Sequence, residues 1–194
     1  MRAVKTLAAF GMLALLAACQ TFTLAPAGAY APAAGYQLTL GRPWSDVSSL
    51  SAGANPAVKL LSIDGPLLDR LYVVNGLSPG DFIVKAQAKD KPTPTVRAGM
   101  TVMDRIEFVA DSVSAMDYER VETARPRPAQ FGGHDAVRFD LSARTKEGLD
   151  ISGTAVAAEV NGKVYVILYL APTEHYFAAY LPEVESIMAS ARLG

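Results

Sequence analysis

Two histidines, one cysteine and a set of arginines carry most of the chemistry this chain offers. His134 stands beside Asp135 in FGGHDAVRF. A histidine with a carboxylate partner and a nearby Ser or Thr would make a general base for hydrolysis. No Gly-x-Ser-x-Gly elbow accompanies it, and neighbours in an extended chain point apart, so a loop at the entry to a hairpin is the plainer reading. His175 opens the last helical stretch as an exposed or capping residue. The two histidines lie 41 positions apart without HxxxH, HxH or HExxH spacing, so no metal site is read. A lone Cys19 excludes an internal disulfide and a thiolate metal centre. Arg125, Arg127, Arg138 and Arg144 flank one hairpin and would form a small anion-binding face. Against that, Glu122, Asp135 and Asp140 interleave with them as in ordinary solvated charge. Tyr165, Tyr169, Tyr176, Phe177 and Tyr180 gather on the last strand and helix, as core packing or as an apolar ligand groove. No GxGxxG or Walker loop is present, and Gly132-Gly133 is too short to cradle a phosphate.

The elements that position these residues must come from one domain. The chain has 194 residues, 51% apolar and 19% charged, enough for a packed core and little disorder. Arg2 and Lys5 are the only charges before Cys19. Without that segment the chain holds 16 basic and 19 acidic residues, which offers no electrostatic footprint for nucleic acid.

The start has the layout of a secretory signal: Arg2 and Lys5, then the charge-free apolar run Leu7 to Ala18, then small residues. At 12 residues the run is short of the roughly 20 that span a bilayer. Leu16-Ala17-Ala18-Cys19 resembles the lipobox of bacterial lipoproteins. That resemblance implies a diacylglyceryl thioether on Cys19, cleavage before it, and acylation of the new amine. Residues 1–18 are then the signal peptide. Each buried methylene contributes about 0.8 kcal/mol, so two or three chains such as palmitate hold a protein on a membrane. Gln20, in place of the Asp that retains such proteins in the inner membrane, implies an outer-membrane address facing the periplasm. No cofactor is expected beyond this covalent lipid.

Residues 20–35, QTFTLAPAGAYAPAAG, are uncharged and rich in Ala, Pro and Gly, so 19–35 reads as a lipidated flexible tether and 36–194 as the folded domain. Tyr36–Leu40 alternates as an opening strand, and Trp44 reads as a core plug. Residues 47–57 read as loop. Val58–Ile63 and Leu67–Val74 are strands split by Asp64-Gly65-Pro66, Phe82–Lys85 a short third strand, and KDKPTPTVRAG a surface loop. Val102, Ile106, Val109, Val113 and Met116 make one stripe, which predicts a helix over 101–116 capped by Thr101 with Asp104.

Tyr118–Ala124 reads as a strand and PRPAQFGG as a connection. Ala136–Arg144 alternates cleanly, and Leu149–Val160 returns with Gly153 and alanines where something approaches closely. Asn161-Gly162 predicts a tight hairpin into Lys163–Leu170, which is apolar on both faces and therefore central. Thr173–Arg192 reads as helix, kinked or restarted at Pro182. The expected fold is α+β, an antiparallel sheet of about six strands covered by helices as an α/β/α sandwich.

The closing unit is a strand, the Asn-Gly hairpin, a long apolar strand, Pro172, then a helix that starts on aromatics and ends SIMASARL. It is similar to the tail of the PsbP-like fold, shared by extrinsic photosystem subunits and the Mog family of Ran-binding proteins. The resemblance implies a binding or assembly module and transfers no catalytic residue. The leading expectation is a lipid-anchored, non-catalytic module that binds another envelope protein. The alternatives are a carrier or sensor of a small apolar ligand held by the five aromatics, and a hydrolase using His134.

Overall fold

The clean alternation of Ala136–Arg144 demands a sheet with apolar partners on one side, and the doubly apolar Lys163–Leu170 demands cover on both. The structure, a computed structural model, describes residues 22–50, 55–86 and 91–194. The signal segment and Cys19 lie outside the described residues, as do parts of the 47–57 loop and of the proline-rich loop.

Among the described residues the chain forms β1 (Thr23–Ala25), β2 (Gly28–Ala33), β3 (Tyr36–Leu40), β4 (Trp44–Asp46), β5 (Val58–Ser62) and β6 (Arg70–Leu77). Helix α1 (Val102–Ala115) follows, then β7 (Glu119–Phe131), β8 (His134–Arg144), β9 (Asp150–Val160) and β10 (Lys163–Pro172). Helix α2 (Ala178–Ala189) and β11 (Arg192–Leu193) close it. Eight strands make one antiparallel sheet in the order β1-β4-β5-β6-β10-β9-β8-β7, and β11-β3-β2 make a small second sheet.

The fold is therefore α+β, with a main sheet wider than the expected six strands. Helix α1 buries Ile106, Phe108, Val109 and Val113 against Val137, Phe139 and Leu141 of β8 and Val166 and Leu168 of β10. On the opposite face α2 brings Val184, Ile187 and Met188 onto Val156, Ile167 and Tyr169, together with Leu38 and Leu40 of the small sheet. The central β10 is thus covered twice, as its composition requires.

Local chemistry explains the elements. Thr101 Oγ1 accepts from the Asp104 amide and Asp104 Oδ2 from the Thr101 amide, a complete capping box on α1. Asn161 and Gly162 both take positive φ, 52° and 73°, as a tight hairpin needs. A Cβ on Gly153 would lie 2.7 Å from Leu170 Cδ2 and 3.0 Å from the Tyr169 carbonyl. Trp44 is 1% exposed.

Several expectations need correction. The stretch read as a tether carries β1 and β2, with Ala25 buried, so strand structure is present from 23 rather than from 36. Its prolines are tolerated because Pro26 follows β1 and Pro32 sits in an outer strand with a register break. PRPAQ continues β7 for the same reason. β7 is the sheet edge, and bulges with Arg120 and Arg125 at positive φ absorb the irregularity. Phe82–Lys85 is not a strand, because both sides of β6 are already paired, by β5 and β10. It is an irregular segment anchored by Ile83. The second inner strand runs Arg70–Leu77 and leaves Leu67 80% exposed. Val102 of the expected stripe is also exposed. The terminal helix breaks at Glu174 and His175, not at Pro182, and stops at Ala189, after which Arg192 and Leu193 pair with Gln37 and Tyr36.

Candidate functional site

The candidate site lies on the α2 side of β7–β9. On β8, Val137, Phe139 and Leu141 point into the α1 core, so Arg138 and Asp140 must point to the other face. On β9 the same alternation brings up Ser152 and Thr154, opposite Ser142 and Asp140. On β7 a bulge between Ala124 and Arg127, with Arg125 at φ 53°, turns Arg125 and Arg127 toward Asp140. The wall is completed by Phe177, Leu181 and Glu185, which recur every four residues and share one side of α2 and its approach. Arg125, Arg127, Arg138, Asp140 and Ser152 line, with that wall, an open cleft of about 380 Å³, while Thr154 is buried.

Its polar groups are tightly interconnected. Arg125 Nε donates to Asp140 Oδ2 at 2.6 Å, and Arg127 reaches the two Asp140 oxygens at 3.3 and 3.4 Å. Arg138 Nη2 donates to Glu185 Oε1 at 2.6 Å, and its Nε faces Thr154 Oγ1 at 3.4 Å. Thr154 Oγ1 lies 3.3 Å from Asp140 Oδ1. Ser152 and Thr173 hydroxyls meet at 2.9 Å at one end. Desolvation works to raise the Asp140 carboxyl, but hydrogen bonds and charge from Arg127 and Arg125 carry it below the usual carboxylate range. Three guanidiniums against two carboxylates leave an excess positive charge. Planar N–H forks of this kind suit carboxylate or phosphate oxygens.

Three of the four expected arginines are thus brought together. Arg144 is not: it donates to the Gly148 carbonyl at 3.1 Å and forms an ion pair with Asp150 at 2.9 Å, tying the β8–β9 turn. Asp140, whose interleaved charge counted against an anion face, is the residue on which Arg125 and Arg127 converge. Thr154, Leu181 and Glu185 were missed. The spacing of Phe177, Leu181 and Glu185 was the available signal for the helix side.

The five aromatics separate into three groups. Tyr165 packs with Tyr36 and Phe131, at ring separations of 5.8 and 6.0 Å. Tyr169 stacks on Phe177 at 5.7 Å and donates to the Tyr176 carbonyl at 3.3 Å. Burial, with the Asp69 charge behind it, pushes the Tyr169 hydroxyl well up. Tyr180 donates to Asp64, which pushes its hydroxyl up to about 12, and Arg42 lies over its ring at 5.5 Å. Only Phe177 reaches the cleft.

His134 is the first residue of β8, exposed at the Gly132-Gly133 turn. Its neighbour Asp135 accepts from Gln130 Nε2 at 2.8 Å, and no hydroxyl is hydrogen-bonded to His134 among the described residues. His175 is exposed in the irregular approach to α2, at φ 69° and ψ −60°, the geometry of a strained γ-turn. Among the described residues no three His, Cys, Asp or Glu side chains are grouped to hold a metal, and no helix is long and apolar enough to cross a membrane.

No protein-family model matches the sequence, and comparison with curated proteins finds no match. Solved structures do match. The cyanobacterial PsbP protein CyanoP from Synechocystis sp. PCC 6803 aligns at TM-score 0.57 and 14% identity, over 91% of this chain and 96% of CyanoP. The Saccharomyces cerevisiae Ran-binding protein Mog1p aligns at TM-score 0.52 and 10% identity, over 82% of this chain and 90% of Mog1p. At these identities the likeness is one of fold, and it is the fold that the closing strand-hairpin-helix unit resembles.

Proposed function

We propose that this protein is a lipid-anchored, non-catalytic binding module of the cell envelope, and that the cleft of Arg125, Arg127 and Arg138 takes an anionic group of its partner. The observation that carries this is the convergence of three guanidiniums from two strands on one open cleft with an apolar wall. The anchor reading rests on Leu16-Ala17-Ala18-Cys19, and Gln20 favours the outer membrane. The Glu185 carboxylate holding Arg138 has a side chain 48% exposed. Arg138 is 20% exposed, so an incoming carboxylate or phosphate takes over its contact while the half-exposed Glu185 turns to solvent. Phe177 and Leu181 then supply contact area for the atoms attached to that anion.

The carrier reading draws less support, because the aromatics it needs are divided among three packing groups. The hydrolase reading loses its geometry with the Asp135 carboxylate held by Gln130. The test is a titration of the full chain in nanodiscs with inorganic phosphate, followed by the arginine Nε–H resonances. Arg125, Arg127 and Arg138 should move together with one dissociation constant while Arg144 stays still. Four resonances moving alike, or none, would refute the site. Mass spectrometry of the mature N-terminus tests the anchor, and crosslinking in intact envelopes with and without Arg138→Gln tests the partner.

A further inference from the structure

The β1 strand opens only four positions after Cys19, although this stretch reads as a tether. Even fully extended, that length of chain reaches at most about 14 Å. A lipidated Cys19 would therefore keep the β1 edge of the main sheet close to the headgroups of its own membrane. What that edge presents is apolar. Phe22 is 49% exposed and Leu24 64%. The pairing of Thr23 with Asp46 sets the start of β1 beside the end of β4, from which the turn Ser48–Leu50 runs on, and Leu50 is 44% exposed. Among the described residues β1 is the outermost strand of the main sheet, and α1 packs over β7–β9 at the far side, so no described strand pairs with its outer edge and that helix does not cover it.

We propose that the β1 edge is a membrane-docking face, on which Phe22, Leu24 and Leu50 enter the headgroup–acyl boundary of a phospholipid bilayer. The proposal rests on acylation of Cys19, because the short connection is what selects a bilayer as the occupant. Apolar side chains at an interface add their burial to that of the acyl chains and hold one orientation. Orientation matters for the cleft. β8 lies six strand positions from β1 in the sheet, roughly 29 Å at about 4.8 Å per strand. Docking by β1 therefore presents the arginine cleft away from the bilayer that carries the protein. The anion it meets belongs to a partner, not to the headgroups beneath.

The test uses the acylated full chain in vesicles of phosphatidylethanolamine and phosphatidylglycerol. Cys19 is the only cysteine and its thiol is spent in the thioether, so an introduced cysteine is a unique labelling point. Leu24→Cys, Leu50→Cys and Leu149→Cys each receive a bimane label, and the acyl chains of the lipid carry a spin-label quencher. Leu149 is 47% exposed and next to β9, five strand positions from β1, and serves as the matched control. The labels at 24 and 50 should be quenched several-fold more strongly than the one at 149. Equal quenching at all three positions on an acylated chain overturns the docking face and leaves the anchor standing. A mature chain without acyl mass on Cys19 overturns both.

Discussion

Replacing Asp140 with asparagine should tighten anion binding in the cleft. The carboxylate lies 2.6 Å from Arg125 Nε and within 3.4 Å of Arg127, so it neutralises two of the three guanidiniums that would hold a ligand. Asparagine keeps an oxygen to accept from those arginines and removes the charge. Consider an anion held on the far side of the guanidiniums from this carboxylate, at an assumed separation of about 6 Å. At an effective dielectric of about 40, two unit charges at that separation repel by about 1.4 kcal/mol. That corresponds to a roughly tenfold gain in affinity on removing one of them. The gain should shrink with salt, since the Debye length falls to about 8 Å at physiological ionic strength. Stability should fall by only about 1 kcal/mol, because Asp140 is 18% exposed but its partners Arg125 and Arg127 are 80% and 40% exposed. The assay is phosphate titration of wild type and Asp140→Asn in nanodiscs at low and physiological salt, read on the arginine Nε–H signals. Unchanged or weaker binding in a variant whose Arg125 and Arg127 signals keep their dispersion would refute the reasoning, since the anion would not be feeling the Asp140 charge.

Other outcomes follow from the same contacts. Because Arg127 and Arg125 hold the folded Asp140 carboxyl below its unfolded value, its stabilisation is whole above about pH 4 and is lost as pH falls through the lower folded value. Urea midpoints of wild type and Asp140→Asn should therefore converge in acid and separate above it. Thr101→Ala removes the acceptor for the Asp104 amide and should cost about 1 kcal/mol in urea unfolding. Gly153→Val forces a Cβ onto Leu170 and the Tyr169 carbonyl and should cost about 1–3 kcal/mol, with loss of thermal midpoint. Asp69 accepts from the Ile63 and Asp64 amides at 2.8 Å and from Ser62 Oγ at 3.0 Å, so Asp69→Ala orphans three donors around a half-buried turn. It should cost about 2–4 kcal/mol and expose Tyr180, whose Asp64 partner it orders, to faster exchange.

Much of the framework is legible because its signals are local. The capping box and apolar stripe of α1, the Asn161-Gly162 turn and the doubly apolar β10 each act within one or two turns of chain, and each forms as its residues dictate. The errors fall where a residue's meaning depends on what lies beside it. Pro126 and Pro128 break a central strand, but β7 is an edge, and an edge tolerates a missing donor. Phe82–Lys85 has the composition of a strand, but β6, the strand it follows, is already paired on both sides. The Ala- and Pro-rich stretch before Tyr36 has no charge to mark it as folded, yet finds β4 and β3 to pair with.

Composition, spacing and turn chemistry by themselves determined the α+β class and the two-sided cover of the last long strand. Those are properties of short windows, where each residue's preference is set by its immediate neighbours. Tertiary structure alone decided which charges meet. Arg127 stands opposite Arg138 and a bulge turns Arg125 onto Asp140, while Arg144, on the same strand as Arg138, pairs elsewhere. Register, bulge and helix placement are long-range quantities, and a cleft built from three of them has no counterpart in any stretch of the chain.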